Sequence, residues 1–344
     1  MDINELLDFA VKNKASDLHL SSGLVPIFRV DGELCRFDFP VLAHKEIAQM
    51  IDSVMNDKQR HDYKINLETD FSFERSALAR FRINAYMQER GAAAVFRVIP
   101  TEILSMEALN LPPVFTEIAS LSQGLVLVTG PTGSGKSTTL AAIIDYINTT
   151  RQQHILTIED PIEFVHHSKS CLINQREVFR DTHSFTAALR SALRQDPDVI
   201  LVGELRDLET IRLAMTAAET GHLVFATLHT SSASKTINRV IDVFPGEEKA
   251  MIRSMLSGSL QAVIAQTLLK RTSGGRVAAL EIMRCTPAIR SLIREDKVAQ
   301  MYSTIQTGKA VGMQTLDQHL TQLVSENVIT RETAREVAVS KDLF

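Results

Sequence analysis

An α/β architecture is predicted from three patterns in the 344-residue sequence. Short alternating apolar segments in the first hundred residues predict strands, with an Asp-Gly pair typical of a hairpin between two of them. Between residues 125 and 228, apolar strands alternate with helical segments, which requires crossover connections and a parallel sheet. After Ser231 the sequence predicts helix almost throughout.

The amino-terminal module is predicted over residues 1–100 and has an α+β pattern. Helices are expected at Asn4–Asn13 and Leu42–Asp57. Strands are expected at Ala15–Leu20, Val25–Val30, Glu33–Phe39, Thr69–Glu74, Arg80–Gln88 and Ala92–Ile99. Arg82 on one strand and Arg97 on its expected partner project from a polar, arginine-lined face. This face is either solvated or directed toward an anion.

The second domain is predicted over residues 123–270. Leu111-Pro112-Pro113 impairs both helix and ladder hydrogen bonds, so a linker is expected at 101–122. A helical carboxyl-terminal region is expected at 271–344. The elements predicted within the second domain are strands Leu125–Val128, His154–Ile158, Val199–Val202 and Leu223–Leu228, and helices Ser137–Tyr146, Ser184–Gln195 and Leu208–Thr220.

The segment LVLVTGPTGSGKSTT, residues 125–139, has the pattern of a phosphate-binding loop. Its glycines let backbone N–H groups close around phosphate oxygens. Lys136 supplies a cation for the β- and γ-phosphates, Ser137 offers a hydroxyl to Mg²⁺, and the next helix presents the positive end of its dipole. The alternative is a glycine turn beside a lysine. ATP with Mg²⁺ is the predicted ligand, and its predicted binding residues are Gly130, Pro131, Thr132, Gly133, Ser134, Gly135, Lys136, Ser137 and Thr138.

Carboxylates follow two of the predicted strands. Glu159, Asp160 and Glu163 come after the second strand, at the edge where an open α/β sheet binds its ligands. Glu163 is the candidate for polarising the attacking water, while Glu159 and Asp160 either organise Mg²⁺ waters or cap a loop. Glu204 follows the third strand as the acid of a Walker B segment does, with glutamate where aspartate is commoner. We expect Glu204 to reach Mg²⁺ or its water.

Each basic side chain near these acids has either a role at the nucleotide or a purely structural or surface position. Arg190, Arg194 and Arg206 neutralise charge on a γ-phosphate if they face it, and are otherwise surface charges. His222 and His229 bracket the last strand, and its rise of roughly 3.3 Å per residue keeps them from sharing one metal. His229, at the carboxyl edge, is a candidate sensor of the γ-phosphate, with a structural histidine as the alternative.

Composition argues against several classes of function. The net charge is −4 and no run of five like charges occurs, so no basic stripe is present for nucleic acid or an anionic membrane. The three cysteines are odd in number and widely spaced, unlike a disulfide framework or a zinc cluster. The first residues resemble neither a signal peptide nor a membrane span. The expectation is a cytoplasmic protein without direct membrane insertion and without a nucleic-acid partner.

Four motifs carry a family resemblance. GPTGSGKS, TIEDPIEF, ILVGE with LRD, and TGHLVFATLHT occur in the order and spacing of the Walker A, Asp box, Walker B and His box of the type II and type IV secretion ATPases, the GspE-like family. Residues 288–296, AIRSLIRED, resemble the AIRNLIRE signature of the type IV pilus retraction ATPases, with Ser291 where asparagine is usual. ASDLHL near the start also fits, so the resemblance covers essentially the whole chain.

The resemblance implies a homohexamer that powers pilus retraction and twitching motility. Each chain would have a PAS-like amino-terminal domain and a RecA-like P-loop ATPase domain. The motor would lie at the cytoplasmic side of the inner membrane, bound through a platform protein of the pilus machine. The residue roles implied are Glu163 as catalytic carboxylate, Glu204 as the acid on the Mg²⁺ side, His222 and His229 as the His box, and Arg82 and Arg97 as arginines that reach the nucleotide.

Three alternatives remain at this point. One is an accessory retraction or an extension ATPase of the same superfamily. Extension ATPases usually carry an additional amino-terminal domain and a four-cysteine zinc site, which three cysteines do not supply. A nucleic-acid translocase is disfavoured by the acidic charge balance. A nucleotide-dependent regulatory switch is disfavoured by the complete set of Lys136, Glu163 and Glu204.

Overall fold

Two units of structure follow one another along the chain, Met1–Glu102 and Ile103–Phe344. The computed structural model describes residues 2–30, 32–75, 79–99 and 102–344. The first unit buries the apolar face of its opening helix, including Leu6 and Leu7, against its own sheet. The second unit has separate apolar clusters on the two sides of its sheet. Each unit therefore has its own core.

An antiparallel sheet with helices forms the first unit. Its strands are β1 (Asp17–Ser21), β2 (Ile27–Val30), β3 (Glu33–Arg36), β4 (Glu68–Arg75), β5 (Ala79–Gln88) and β6 (Gly91–Ile99). Its helices are α1 (Ile3–Lys12), α2 (His44–Ser53) and α3 (Asp57–Asn66). Among the described residues the strand order is β3-β2-β1-β6-β5-β4. The α+β prediction is confirmed, and β2 pairs with β3 as the predicted hairpin, whose Asp31 lies outside the described residues.

A mixed sheet is the centre of the second unit. Its strands are β7 (Gly124–Thr129), β8 (His154–Glu159), β9 (Leu172–Glu177), β10 (Val199–Val202), β11 (Leu223–Leu228), β12 (Leu260–Lys270) and β13 (Arg276–Arg284). Within residues 102–344 the strand order is β13-β12-β7-β11-β10-β8-β9. All neighbours are parallel except β12 and β13, which are antiparallel. The predicted parallel core is confirmed.

Helices cover both faces of this sheet, and alternate residues of β7 therefore belong to different apolar clusters. Leu125 and Leu127 belong to the cluster on one face, and Val126 and Val128 belong to the cluster on the other. The helices are α4 (Val114–Ala119), α5 (Lys136–Thr150), α6 (Phe185–Ala192), α7 (Leu208–Glu219), α8 (Ala233–Asp242), α9 (Lys249–Ser259), α10 (Pro287–Arg294), α11 (Met301–Thr307), α12 (Leu316–Ser325) and α13 (Arg331–Val337). Within the described ranges, none of the helices has the length and apolar character needed to cross a membrane.

The prediction of nearly continuous helix after Ser231 is wrong for β12 and β13. These strands pair from Ala262 opposite Arg284 to Lys270 opposite Arg276. Their alanine- and leucine-rich segments suit a helix in isolation, but β12 also pairs with β7, and a tertiary partner overrides local preference. The sheet therefore continues past the domain limit predicted at residue 270.

Two shorter segments also differ from prediction. Within the linker predicted at 101–122, α4 buries Val114, Phe115 and Ile118 in the core of the second unit. β9 was not predicted at all, because its sequence LINQRE is largely polar and lacks clear alternation. That composition suits the edge of a sheet, where β9 lies.

Candidate functional site

The carboxyl ends of four parallel strands bring several of the predicted site residues to one edge of the sheet. β7 leads into the glycine loop, β11 into His229 and β10 into Gly203 and Glu204, while Glu159 is the last residue of β8. The pairing register aligns the ends of these neighbouring strands. This is the edge at which open α/β sheets bind ligands.

The loop between β7 and α5 requires glycine at two points. Gly130 has a φ of +145°, and a Cβ there would lie 2.2 Å from the carbonyl oxygen of Gln266. Gly135 has a φ of +87°, and its Cβ would lie 2.9 Å from Nε2 of the same glutamine. Close backbone approach and left-handed conformation therefore both exclude larger residues.

Lys136 is the first residue of α5, and its ammonium group lies on the loop. Nζ donates hydrogen bonds to the carbonyl oxygens of Gly130 at 2.8 Å and Pro131 at 3.1 Å. Burial lowers the pKa of Lys136, and the carboxylates of Glu204 and Glu163 oppose this by favouring the charged form. The structure thus places both predicted acids within electrostatic reach of the loop lysine.

The polar groups of the loop fit an anionic ligand. Ser134 Oγ is buried and has no hydrogen-bond partner among the described residues. Ser137 and Thr138 lie in the first turn of α5, where backbone N–H groups have no intrahelical acceptor. Mg²⁺ prefers oxygen ligands and keeps several waters, so the Ser137 hydroxyl and the Glu204 carboxylate suit it. The residues present fit a nucleotide phosphate with its metal ion.

Glu204 is contacted from two sides. Arg206 Nε donates to its Oε2 at 2.8 Å, and His229 Nε2 lies 3.0 Å from its Oε1. Arg206 also reaches Oδ2 of Asp160 at 3.3 Å, and its hydrogen bond to Glu204 raises the pKa of its guanidinium group. A cavity of about 330 Å³ opens here, lined by Glu204, Leu205, Arg206, Leu228, His229, Thr230 and Arg239. One predicted arginine and one predicted histidine therefore meet the predicted acid.

Other candidates have different surroundings. Arg190 contacts Glu209 of α7, and Arg194 is exposed. His222 precedes β11 at its amino end, and its Nδ1 lies 2.9 Å from the carbonyl oxygen of Ala217. The two histidines of the predicted His box are thus at opposite ends of one strand.

Arg82 and Arg97 lie directly opposite each other on β5 and β6 of the first unit. Arg97 Nε is 2.8 Å from Oδ1 of Asp17, and the arginine side chain is 63% exposed while the aspartate side chain is 6% exposed. Arg82 Nε is 3.7 Å from Oδ1 of Asp70. The predicted arginine-lined face exists, and its guanidinium groups are partly open to solvent.

Gln266 on β12 is a site residue that the sequence did not reveal. Its buried side chain donates from Nε2 to the carbonyl oxygen of Ser134 at 2.6 Å and accepts from Thr139 Oγ1 at 2.9 Å. It therefore braces the phosphate loop from a neighbouring strand. The available signal was a glutamine inside a largely apolar segment, and it was not informative because that segment was predicted as helix.

Known proteins are similar to this chain in sequence and in fold. A family model described as Type II/IV secretion system protein matches residues 1–338. The chain belongs to that family. Within the type II/IV secretion system proteins, the type IV pilus retractation ATPase PilT of Pseudomonas aeruginosa is 68% identical over 344 residues, 100% of both chains. A twitching motility protein of Neisseria gonorrhoeae is 60% identical over 318 residues, 92% of this chain and 85% of that protein.

A solved structure of the same family confirms the architecture. The crystal structure of the pilus retraction motor PilT with bound ADP superposes with a TM-score of 0.93 at 47% identity, covering 100% of this chain and 99% of that one. The predicted α/β fold and the predicted family resemblance are both confirmed by this likeness.

Proposed function

We propose that this protein is an ATP-hydrolysing motor that powers type IV pilus retraction as a homohexamer. The observation that carries the proposal is that Lys136, Glu163 and Glu204 follow β7, β8 and β10, whose carboxyl ends lie at one edge of the sheet. Full-length identity of 68% to a pilus retractation ATPase supports the same activity. The ligand is ATP, bound by residues 130–138.

Each side chain at the edge has a role in hydrolysis. Lys136 exchanges the loop carbonyls for the β- and γ-phosphates when nucleotide binds. Glu163 orients the attacking water and takes its proton, while Glu204 and Ser137 hold Mg²⁺. Mg²⁺, when bound, neutralises charge on the phosphates. His229 contacts Glu204, so it links the metal side of the site to the end of β11.

The arginines of the first unit complete the proposal. Arg82 and Arg97 act as arginine fingers toward a nucleotide held in the hexamer, where they neutralise charge that develops on the γ-phosphate. Arg97 would leave Asp17 to do so. Asp17 also has Arg29 at 4.0 Å and the hydroxyl of Ser16 at 2.8 Å, so its carboxylate keeps partners.

The signature helix α10 supports assignment to retraction. Arg290 donates to the carbonyl oxygen of Gly258 at 2.9 Å and to Oε1 of Gln261 at 3.1 Å, which attaches α10 to the end of α9 and the start of β12. Ser291, where asparagine is usual, donates to Oε1 of Glu295 at 2.7 Å. This substitution leaves the buried face of the helix intact.

The motor works at the cytoplasmic side of the inner membrane, against a platform protein of the pilus machine. Deletion of the gene, followed by a count of surface pili and a twitching assay, tests this function. We expect excess pili and lost motility, restored by the wild-type gene but not by a Lys136→Ala copy. Loss of pili would overturn retraction in favour of extension.

A further inference from the structure

The loop that carries Glu163 is held by side chains of β9. Gln175 and Glu177 are two residues apart, so they lie on the same face of that strand. The parallel register places them opposite Thr157 and Glu159 of β8, the strand from which the loop departs. The edge strand thus borders the loop without contributing a residue predicted to react.

Gln175 uses both ends of its amide. Nε2 donates to the carbonyl oxygen of Phe164 at 2.8 Å and to Oε1 of Glu159 at 3.2 Å. Oε1 accepts from the N–H of His166 at 2.7 Å. One side chain therefore ties two backbone positions after Glu163 to the end of β8.

A second set of contacts holds the backbone before and at Glu163. The N–H of Ile162 donates to Oε2 of Glu177 at 3.3 Å, and both of these residues are buried. The N–H of Glu163 donates to Oε2 of Glu159 at 3.4 Å, while the Glu163 side chain is exposed. Glu163 thus lies between backbone positions that are held by Gln175 and Glu177. We call these contacts the clamp, and the carboxylate of Glu163 is not one of them.

Two titratable residues beside the loop, His166 and Glu159, have shifted pKa values. Burial lowers the pKa of His166 to about 4, so its ring is neutral at physiological pH. Burial raises the pKa of Glu159 to about 7, against hydrogen bonds from Thr157 and Gln175 that favour its charged form. Thr157 Oγ1 and Gln175 Nε2 both donate to Oε1 of Glu159, at 2.6 Å and 3.2 Å.

We propose that Gln175 is a positioning residue for ATP hydrolysis, which keeps Glu163 in place beside the attacking water. This inference rests on the proposed role of Glu163. A general base acts only within hydrogen-bond reach, and a misplacement of about 1 Å can reduce the rate by about a hundredfold. Releasing Phe164 and His166 would free the loop while leaving the phosphate-binding residues untouched.

The test compares Gln175→Met and Glu163→Gln, alone and combined, in the full-length protein. Methionine has a similar length but forms no comparable hydrogen bonds. We expect Gln175→Met to lower kcat by about tenfold or more while ATP affinity stays within about twofold. Asn174→Met, at the exposed neighbour on the opposite face of β9, should keep wild-type turnover. The double variant should be no slower than Glu163→Gln alone, because the clamp acts through that side chain.

Each other outcome overturns a defined part of this account. An equal fractional loss of kcat in the Glu163→Gln background, or a parallel loss of ATP affinity, would show that Gln175 acts independently of Glu163. If Gln175→Met turns over ATP at the wild-type rate while Glu163→Gln does not hydrolyse it, the positioning role of Gln175 is wrong and the catalytic role of Glu163 stands. Normal turnover by Glu163→Gln would overturn the catalytic role of Glu163 and the clamp with it. Gln175→Glu, which keeps the acceptor for His166 but lacks the amide donor, repeats the comparison if the methionine variant does not fold.

Discussion

The phosphate loop and the Glu163 loop leave the same edge of the sheet but are held from opposite sides. Gln266 braces the phosphate loop from β12, through Ser134 and Thr139. Gln175 braces the other loop from β9, on the far side of the parallel strands. β7 and β8, from which these two loops leave, are thus each paired with an outer strand that holds the loop. We therefore propose that nucleotide binding and turnover have separate supports, Gln266 for the first and Gln175 for the second.

The largest expected effect is in the phosphate loop itself. Lys136→Ala removes the ammonium group that now lies on the loop carbonyls, and a charge-assisted contact to the β- and γ-phosphates is lost with it. We expect steady-state ATP hydrolysis to fall to background while the fold persists. Lys169→Ala, which breaks an exposed pair with Asp145, is the matched control and should retain activity. Unchanged hydrolysis by Lys136→Ala would refute the phosphate-loop assignment.

A large loss of ATP hydrolysis is also expected when the two arginines of the first unit, Arg82 and Arg97, are replaced. Arginine fingers contribute roughly 10³ to 10⁵ in rate, far more than an exposed ion pair of about 0 to 1 kcal/mol could account for. Arg97→Ala and Arg82→Ala should therefore lower hydrolysis by at least about tenfold, and only at protein concentrations where the chain assembles. Arg36→Ala, at an exposed position on β3, serves as the control. If both variants hydrolyse ATP at a near-normal rate across the range of protein concentrations, Arg82 and Arg97 are not arginine fingers and only line a solvated sheet face.

A smaller effect, on ATP affinity, is expected when Gln266 is replaced. Gln266→Met leaves the buried carbonyl oxygen of Ser134 without its donor, and an unsatisfied buried group costs about 1 to 3 kcal/mol. We expect ATP affinity, measured by titration, to weaken by roughly fivefold to a hundredfold. Thr267→Val, on the opposite face of the same strand, should bind like the wild type. Unaltered affinity in a folded Gln266→Met protein would show that the loop holds its shape without this brace.

The smallest expected effect concerns the carboxyl group of Glu159, the last residue of β8. Burial raises the pKa of Glu159 to about 7 from its ordinary 4.5, so between these values the folded protein keeps a proton that the unfolded chain releases. Stability contributed by this group is present at low pH and is lost as the pH rises through about 7. The thermal midpoint of the wild type should therefore fall relative to that of Glu159→Gln between pH 5 and pH 8. A constant difference would contradict the raised pKa.

The sequence predicted the residues that we propose to act in hydrolysis, but it did not reveal Gln266 and Gln175, whose side chains contact the two loops. Lys136 and Ser137 belong to a contiguous motif, and Glu163 and Glu204 each follow an apolar strand, so local spacing was sufficient for them. Gln266 reaches Ser134 across 132 positions of sequence. That contact depends on strand pairing, which spacing along one segment does not contain.

The strands that the sequence did not predict, β9, β12 and β13, also depend on contacts that are distant in sequence. β7 and β10 are buried along their lengths and are recognisable as apolar runs. β9 is polar and lies at an edge, while β12 and β13 are rich in helix-forming residues. Only their neighbours in the sheet make them strands. The elements that fix the two loops were therefore the ones whose local sequence was least informative.

The most direct test of separate supports is one paired measurement on Gln266→Met and Gln175→Met. ATP affinity and single-turnover hydrolysis would be determined for both variants in the same preparations. We predict weakened affinity with near-normal single-turnover hydrolysis at saturating ATP for Gln266→Met, and normal affinity with slow hydrolysis for Gln175→Met. Equal losses of affinity and of hydrolysis in both variants would contradict this account, because the two glutamines would then support a single, undivided site.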